Sequence, residues 1–402
     1  MHVVGGIYHE KSVFPERDVI YGSGGRAAIA LKQLNPDIRL SSFVGENYRP
    51  EIEHLARHQW DIPLDGFSVP EIVSFTYYHG LSSPIIRPTR LPFPKCPTIE
   101  VTDEVILQFG MLEGPAIVHG DRVVFDPQNP EKPEKFDSNK STANELAYVL
   151  NRGELFRITG IQEIDKAATE LLLDSSTSVV VVKSGADGAH IFTKKSKFHV
   201  CAYATDQIWP IGSGDVFAAV FAHFWGQEGA APESAAEFAS KGAALYCGSR
   251  SVPLSKEKLL SDNFVYPKLT KKKNPADTRI YLAGPFFTMG QLWLVEEARS
   301  AFLHAGYNVF SPYHDVGLGT AEQVVDADIE GIEKADVLFA LCDGLDPGTL
   351  FEVGYAVKKG IPVVTFAEQT SEEAMKMLRG TNCKVFRDFT SAIYHTQWEA
   401  IK

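Results

Sequence analysis

The sequence has few cysteines, no long apolar run and no excess of basic residues. Its five cysteines lack a Cys-x-x-Cys spacing, so we interpret them as reduced thiols and expect no metal site. The best apolar run, 216–225, is interrupted by His223 and is much shorter than the ~18 residues of a membrane span. The net charge of −12 argues against a surface that binds nucleic acid.

The first residues, 1–12, do not combine a charged segment with a following apolar segment. We therefore expect no secretion, no membrane association and a cytoplasmic location. A content of 44% hydrophobic and 22% charged residues is ordinary for a soluble globular protein. A length of 402 residues exceeds one typical domain, so we expect two hydrophobic cores.

Short apolar runs alternate with helical patterns along most of the sequence. The clearest runs are 117–118, 123–125, 179–182, 280–283, 337–341 and 363–366. This alternation is typical of βαβ units and predicts an α/β chain with largely parallel sheets. The rhythm stops between Ser255 and Thr278, where prolines and three consecutive lysines indicate a solvated linker. The predicted organisation is a domain at 1–262, a linker at 263–277 and a second domain at 278–402.

The second domain opens with a predicted strand that ends in the turn Gly284-Pro285, followed by Phe286 and Phe287. This turn places aromatic rings at the carboxyl end of a strand, where ligands bind in open α/β sheets. A helix is predicted over 291–305 and a strand over 308–310.

Three acidic residues follow on separate predicted elements. A helix is predicted over 322–336 because Val325, Ile329, Ile332 and Asp336 recur at helical spacing on one face. Asp328 lies at the edge of this buried face. Asp346 lies in the turn after 337–341. Glu352 falls in the first turn of a helix that begins near Leu350, where the helix dipole favours the ionised carboxylate. On position alone, Asp328 also fits a buried hydrogen bond and Glu352 a helix-capping acid.

Three blocks together resemble the nucleoside 2-deoxyribosyltransferase family over about 279–370: residues 281–287, 326–336 and 346–356. The resemblance implies that Glu352 is the nucleophile, that Asp328 protonates or holds the base, and that Asp346 contacts the base or sugar. It further implies that Tyr281 orients the nucleophile and that Gly284, Phe286, Phe287 and Gly348 bind the substrate.

The chemistry of an N-glycosidic bond fits these residue types. Its cleavage passes through an oxocarbenium-like state, which needs a carboxylate near the anomeric carbon and an acid near the leaving group. Transfer to another base and hydrolysis by water both stay open. The resemblance also implies a nucleoside or nucleotide as small-molecule partner, no cofactor for this domain, and a homo-oligomer.

In the first domain, the segment 211–219 contains Gly212, Ser213, Gly214 and Asp215 directly before a predicted helix. Small residues at a helix start expose backbone N–H groups that hold phosphate oxygens. An aspartate at this turn can accept a proton from an attacking hydroxyl.

This region resembles the ribokinase-like (PfkB) kinases over about 1–255. The matching blocks are 22–28, 43–46, 60–61, 126–130, 144–145, 182–189 and 211–219. The resemblance implies a ribokinase-like α/β sandwich, followed by a smaller flavodoxin- or Rossmann-like parallel-sheet domain. It also implies Asp215 as general base, an anion hole at Gly212, Ser213 and Gly214, and ATP and Mg²⁺ as cofactors. Gly24 and Arg26 would contact the substrate, and Ser184, Gly185 and Gly188 the nucleotide.

Three departures from the kinase pattern bear on activity. Arg26 replaces the usual asparagine, Trp209 replaces an acidic residue, and Ala147 takes the place of the glutamate in an Asn-x-x-Glu motif. Three hypotheses therefore stay open. In the first, the chain is a bifunctional nucleoside enzyme whose first domain phosphorylates or binds a sugar or nucleoside. In the second, it is an effector, for example in antiviral defence, whose first domain senses a ligand and whose second domain hydrolyses nucleotides or NAD. The third is an inactive scaffold.

Overall fold

The structure is a computed structural model that describes residues 1–129 and 132–402, so Pro130 of the 126–130 block lies outside the described residues. The chain divides into two compact units. Unit 1 comprises residues 1–205 and 209–268, and unit 2 comprises 206–208 and 269–402. In the described ranges, no helix is both long and apolar enough to cross a membrane.

Unit 1 is rich in strands. In chain order they are β1 (His2–Val4), β2 (His9–Phe14), β3 (Arg17–Ile20), β4 (Arg39–Gly45), β5 (Leu64–Val69), β6 (Ser74–His79), β7 (Ile85–Arg87), β8 (Ile99–Phe109), β9 (Ala116–Asp126), β10 (Thr142–Asn151), β11 (Thr177–Lys183), β12 (Ala189–Thr193) and β13 (Lys197–Val200). Its helices are α1 (Gly22–Leu31), α2 (Arg49–His54), α3 (Arg152–Thr159), α4 (Ile164–Leu172), α5 (Ser213–Phe221), α6 (Pro232–Ser249) and α7 (Lys256–Leu260). Two π-helical segments, Leu55–Trp60 and Ala222–Gln227, extend α2 and α5, and short 3-10 turns lie at Phe136–Asn139 and Gly185–Asp187.

Two sheets form from these strands. The large mixed sheet has the order β13-β12-β11-β10-β9-β8-β1-β4-β5, and the smaller one has the order β3-β2-β6-β7. In the large sheet β12 pairs antiparallel with both neighbours, whereas the central strands pair parallel. Among the residues described between β5 and β10, strand follows strand without an intervening α-helix, so the predicted βαβ rhythm does not hold there.

The large sheet is buried on both faces. Along β11, Val179 and Val181 belong to one apolar cluster, whereas Val180 and Val182 belong to another. Successive side chains of a strand point to opposite faces, so a strand covered on both sides reads as a continuous apolar run. The same packing places the carboxyl end of β11 and the start of α5 inside unit 1.

Unit 2 contains β14 (Arg279–Ala283), β15 (Asn308–Phe310), β16 (Val337–Leu341), β17 (Val363–Phe366) and β18 (Lys384–Phe386). Its helices are α8 (Met289–His304), α9 (Pro312–Asp315), α10 (Ala321–Glu333), α11 (Pro347–Lys359), α12 (Lys376–Gly380) and α13 (Phe389–Ile401), with a 3-10 turn at Pro275–Asp277. The strands form one all-parallel sheet in the order β15-β14-β16-β17-β18. When the five strands are numbered in chain order within unit 2, the sheet order is 2-1-3-4-5, which is the flavodoxin-like order.

The predicted α/β class is confirmed, with a large mixed sheet in unit 1 and a separate parallel sheet in unit 2. Helices α8, α10 and α11 of unit 2 differ from their predicted bounds. Helix α10 ends at Glu333, and Asp336 instead accepts a hydrogen bond from the backbone N–H of Arg279 at 2.8 Å. Val325, predicted on the buried stripe, is 47% exposed, whereas Ile332 is buried.

Candidate active sites

The first candidate site lies at the carboxyl edge of the parallel sheet in unit 2. Tyr281 extends from β14, a central strand, and is fully buried. Its hydroxyl donates a hydrogen bond to Oε1 of Glu352 on α11, with an O–O distance of 2.6 Å. In the 2-1-3-4-5 order, ligands bind where strands 1 and 3 diverge, here β14 and β16. The pair thus lies beside the two strands at which this strand order generally binds ligands.

The start of α11 corrects the predicted setting of Glu352. The helix begins at Pro347, and Asp346 caps it by accepting hydrogen bonds from the backbone N–H of Thr349 (2.8 Å) and from its hydroxyl (3.0 Å). Glu352 therefore lies in the second turn, where the dipole acts weakly. Burial raises the pKa of Glu352 to about 7, and the charges of Asp328 and Asp346 add to this effect. Only the hydrogen bond from Tyr281 favours the ionised form, so the expected dipole effect does not dominate.

Asp328 contributes a second acidic group to this site. It lies on α10, and its half-buried carboxyl is close enough to act electrostatically on Glu352. Among the described residues its buried Oδ1 has no hydrogen-bond partner. Burial raises the pKa of Asp328 as well. An unsatisfied buried oxygen beside a raised-pKa glutamate is the arrangement expected where a ligand completes the hydrogen bonding.

Aromatic rings line the turn after β14. The ring of Phe286 lies 5.0 Å from that of Phe287 and 5.1 Å from that of Tyr313, measured between centroids. A Cβ added at Gly284 would lie 3.0 Å from the Leu341 side chain, so packing alone accounts for that glycine. At Gly348 the nearest atom to an added Cβ is Oδ2 of Asp346, at 3.2 Å. Substrate contact by these residues stays a prediction.

The second candidate site lies in unit 1 around Asp215, in the first turn of α5. Its Oδ2 accepts a hydrogen bond from Nη1 of Arg26 (2.6 Å), and its Oδ1 accepts one from Nε2 of Gln128 (2.5 Å). Arg26 also forms an ion pair with Glu10. The Arg26 guanidinium is thus held between two buried carboxylates, and both oxygens of the predicted general base are already engaged.

Arg26 also fills the space beside the predicted anion hole. Gly212 has a positive φ of 82°, and a Cβ built on it would lie 2.3 Å from the guanidinium carbon of Arg26. Arg26 is 2% exposed, and its Nε has no hydrogen-bond partner among the described residues. The glycine at position 24 has a packing explanation, since an added Cβ would meet the carbonyl oxygen of Gly5 at 2.4 Å.

On the other side of α5, Lys183 forms an ion pair with the fully buried Asp126. Burial raises the pKa of Asp126, and the Lys183 ammonium opposes that shift. A Cβ added at Gly214 would lie 3.3 Å from the Lys183 amine, which places this charge at the helix start. The turn Gly185–Asp187 follows Ser184, and Gly188 closes it with a φ of 89°.

The structure corrects the assignment of Ala147, which lies buried inside β10. An Asn-x-x-Glu pattern does occur at the carboxyl end of this strand, at Asn151 and Glu154. These two residues form a capping box at the start of α3, and the charge of Glu154 contributes to the raised pKa of Asp126. The spacing was visible in the sequence. Gln128 and Lys183 lie in the matching blocks 126–130 and 182–189 but were not singled out there, and no motif indicated Glu10.

Comparisons with known proteins find two segments of the chain that match family models. Residues 116–259 match the pfkB family carbohydrate kinase model, and residues 280–386 match the nucleoside 2-deoxyribosyltransferase model. The chain carries both family segments in this order. The glycine-rich segment 22–28, which forms the first part of α1, lies before the pfkB match.

Individual relatives are similar to part of the chain. The deoxyribokinases of Salmonella typhi and Salmonella typhimurium are each 33% identical over 86 residues, which is 20% of this chain and 28% of the relative. The match thus spans less than a third of these relatives. Among solved structures, Giardia lamblia ribokinase has a TM-score of 0.48 at 17% identity and covers 63% of this chain and 95% of its own. Arabidopsis thaliana ribokinase complexed with ribose and ATP has a TM-score of 0.45 at 18% identity, with coverages of 63% and 95%.

The expected cofactors, Mg²⁺ and ATP, fit the residue types around Asp126 and Lys183 in unit 1. Asp126 Oδ1 is buried without a hydrogen-bond partner in the described part of the chain, and carboxylate oxygens are the ligands that Mg²⁺ prefers. Lys183 and the start of α5 offer positive charge to phosphate oxygens. The region around Asp215 is different, because the Arg26 guanidinium occupies the space between Gly212 and Asp215.

Proposed function

We propose that unit 2 cleaves or transfers the N-glycosidic bond of a nucleoside or nucleotide, with Glu352 as nucleophile. The observation that carries this proposal is the 2.6 Å hydrogen bond from Tyr281 to Glu352, beside Asp328 with its unsatisfied buried oxygen. The match of residues 280–386 to the nucleoside 2-deoxyribosyltransferase model supports the same chemistry.

In the first step, Glu352 Oε attacks the anomeric carbon while the bond from that carbon to the base nitrogen breaks. The electron pair goes to the base, which takes a proton from Asp328 or from water as it leaves. The product is a glycosyl ester on Glu352. Positive charge that develops on the sugar ring stabilises the ionised carboxylate, so the pKa of Glu352 falls as the reaction proceeds.

In the second step, an acceptor attacks the glycosyl ester and releases the glutamate. A nitrogen of a second base gives transfer, and water gives hydrolysis. The aromatic rings of Phe286, Phe287 and Tyr313 offer stacking surfaces for a base. Both outcomes need the same carboxylate, so the nucleophile can be tested before the acceptor is known.

The experiment measures free base by chromatography after incubation with deoxynucleosides, ribonucleosides, their 5′-monophosphates and NAD. Glu352→Gln removes the nucleophile, and Glu333→Gln is the matched control. Glu333 accepts a hydrogen bond from the Tyr355 hydroxyl at 2.7 Å but is exposed. We expect base release by the wild type and by Glu333→Gln, and at least ~10³-fold less by Glu352→Gln. Equal release by both variants would remove Glu352 from the chemistry.

For unit 1 we propose ligand binding rather than phosphorylation of a neutral sugar hydroxyl. The observation that favours this second function is the Arg26 guanidinium, which sits against Gly212 and engages the predicted base Asp215. An acceptor hydroxyl can reach Asp215 only if Arg26 moves, which separates a buried ion pair. The Lys183 side of the site keeps groups suited to phosphates, so a nucleotide is the proposed ligand.

Two measurements test the role of unit 1. We expect calorimetry to show that ATP binds. We also expect that ATP is not consumed in the presence of ribose, deoxyribose or nucleosides. Consumption that Asp215→Asn abolishes would instead establish a kinase and favour the bifunctional enzyme. If bound nucleotide changes the rate of base release, unit 1 acts as a sensor, and the effector hypothesis gains.

We also propose that unit 2 associates with a second copy of the chain. Large apolar side chains are exposed in segments that flank the candidate site, with Phe287 at 72%, Met289 at 92% and Phe351 at 62% exposure. Apolar exposure of this kind is common at protein–protein contacts. Sedimentation analysis tests this, because a monomer at concentrations that give full activity would contradict it.

A further inference from the structure

We propose that Asp187, His190 and His199 form a transition-metal site in unit 1, beside the turn at Gly185–Asp187. His190 on β12 and His199 on β13 are directly opposite partners in an antiparallel pair, so their side chains share one face of the sheet. Asp187 lies in the turn that precedes β12. One ligand atom from each of the three residues lies within 4.8 Å of the other two.

The separations between these atoms suit a tetrahedral ion. His190 Nε2 lies 3.3 Å from Asp187 Oδ2, and His199 Nε2 lies 3.6 Å from Asp187 Oδ1. With zinc bonds of about 2.0–2.1 Å, the edge of a tetrahedron is about 3.3–3.4 Å. The two imidazole rings lie 4.7 Å apart between centroids, on the same side of the sheet as the Asp187 carboxylate that both nitrogens approach.

The donor types select the class of ion. Two imidazole nitrogens and one carboxylate suit Zn²⁺ and related divalent transition metals, whereas Mg²⁺ prefers an all-oxygen set. The half-buried setting of the three residues leaves a fourth position for water or a ligand atom.

The surroundings of His199 fit the same role. Its Nε2 lies 2.7 Å from the carbonyl oxygen of Asp187, and metal binding replaces this hydrogen bond with a coordinate bond. The proton then sits on Nδ1, which faces Cys201 Sγ at 3.8 Å. A partner on the second ring nitrogen is the usual support of a ligating histidine. The expectation of no metal site rested on cysteine spacing, which carries no information about a cross-strand histidine pair.

The test titrates Zn²⁺ alone into the full chain, after treatment with a chelator, and follows binding by calorimetry. The control is the exposed pair His54 and His58, whose rings lie 4.9 Å apart. We expect His190→Ala/His199→Ala to lose one equivalent of Zn²⁺ or to bind it at least ~10-fold more weakly. His54→Ala/His58→Ala should retain it.

Thermal unfolding provides a second readout. Zn²⁺ should raise the Tm of the wild type and of the control variant but not that of His190→Ala/His199→Ala. Asp187→Asn, which preserves size, replaces the double variant if that variant does not fold without metal. Binding that survives the ligand variants, or that disappears only in His54→Ala/His58→Ala, would overturn the proposal.

Discussion

The Tyr281 hydroxyl lies 2.6 Å from Oε1 of Glu352. A second Tyr–Glu pair occurs in unit 2, where the Tyr355 hydroxyl lies 2.7 Å from Oε1 of Glu333. The chemistry of the two hydrogen bonds is the same, but burial raises the pKa of Glu352, whereas Lys359 and Tyr355 lower the pKa of the exposed Glu333. The comparison isolates the effect of the environment on a carboxylate and supplies a control for each test of the site.

The first prediction concerns the pH dependence of base release. A nucleophilic carboxylate must be ionised, and the pKa of Glu352 is raised to about 7. The value of kcat/KM should therefore increase with pH up to about 7 and then level off. Tyr281→Phe removes the hydrogen bond that lowers this pKa, so the rising limb should move to higher pH. Tyr355→Phe should leave the limb in place, and a profile already flat from about pH 5 would exclude Glu352 as the ionising group.

The second prediction concerns stability. The folded chain retains the proton on Glu352 up to about pH 7, whereas the unfolded chain releases it near 4.5. The folded state is thus favoured at low pH and loses this contribution as the pH rises through about 7. Glu352→Gln should raise the free energy of unfolding at about pH 8 by on the order of 1–3 kcal/mol, with little change at about pH 4. Calorimetric unfolding at both pH values measures this, and a variant less stable at the higher pH would contradict it.

The third prediction separates the two roles of Asp346, which caps α11 and acts electrostatically on Glu352. Asp346→Asn keeps a good capping side chain, whereas Asp346→Ala loses about 0.5–2 kcal/mol of stability. If the carboxylate also contacts base or sugar, Asp346→Asn should lower kcat/KM roughly 10–100-fold without lowering the Tm. Full activity in Asp346→Asn would leave capping as its role.

The fourth prediction concerns the buried ion pairs of unit 1. Arg26→Ala leaves Glu10 and Asp215 buried without their counter-charge and should destabilise unit 1 by about 3–5 kcal/mol. Arg49→Ala, which removes a more exposed arginine from Glu46 and Glu53, should have a much smaller effect. Denaturant unfolding compares the two variants. Similar small losses would show that Arg26 is not held as the structure indicates.

Four of the five strands of unit 2 could be predicted from their apolar runs, whereas β18, a short edge strand that begins with Lys384, was not predicted. β15, β16 and β17 have the predicted bounds, as a sheet buried on both faces requires. The predicted starts of the helices were less accurate than the predicted strands. Asp346-Pro347 carries an N-cap residue and a proline at the first helical position, yet α11 was expected to begin near Leu350, which misplaced Glu352 by one turn.

Contacts between distant parts of the chain could not be predicted. Arg26 and Asp215 are 189 positions apart, and only the folded sheet brings their charges together. The direct pairing of His190 with His199 likewise depends on the register of β12 and β13, which composition and motif spacing do not contain. Sequence motifs could predict the acidic residues of both candidate active sites. Their ionisation states could not be predicted, because they depend on burial and on neighbouring side chains that only the fold supplies.

The most direct measurement uses a substrate whose glycosyl ester forms but hydrolyses slowly, such as a 2′-fluoro-2′-deoxynucleoside, with intact-mass and peptide spectra of the protein. The account predicts that base is released and that the fluorosugar remains bound to the peptide containing Glu352. The adduct should form on Glu333→Gln and not on Glu352→Gln. Base release with the sugar attached to another residue, or an adduct on Glu352→Gln, would contradict the central claim.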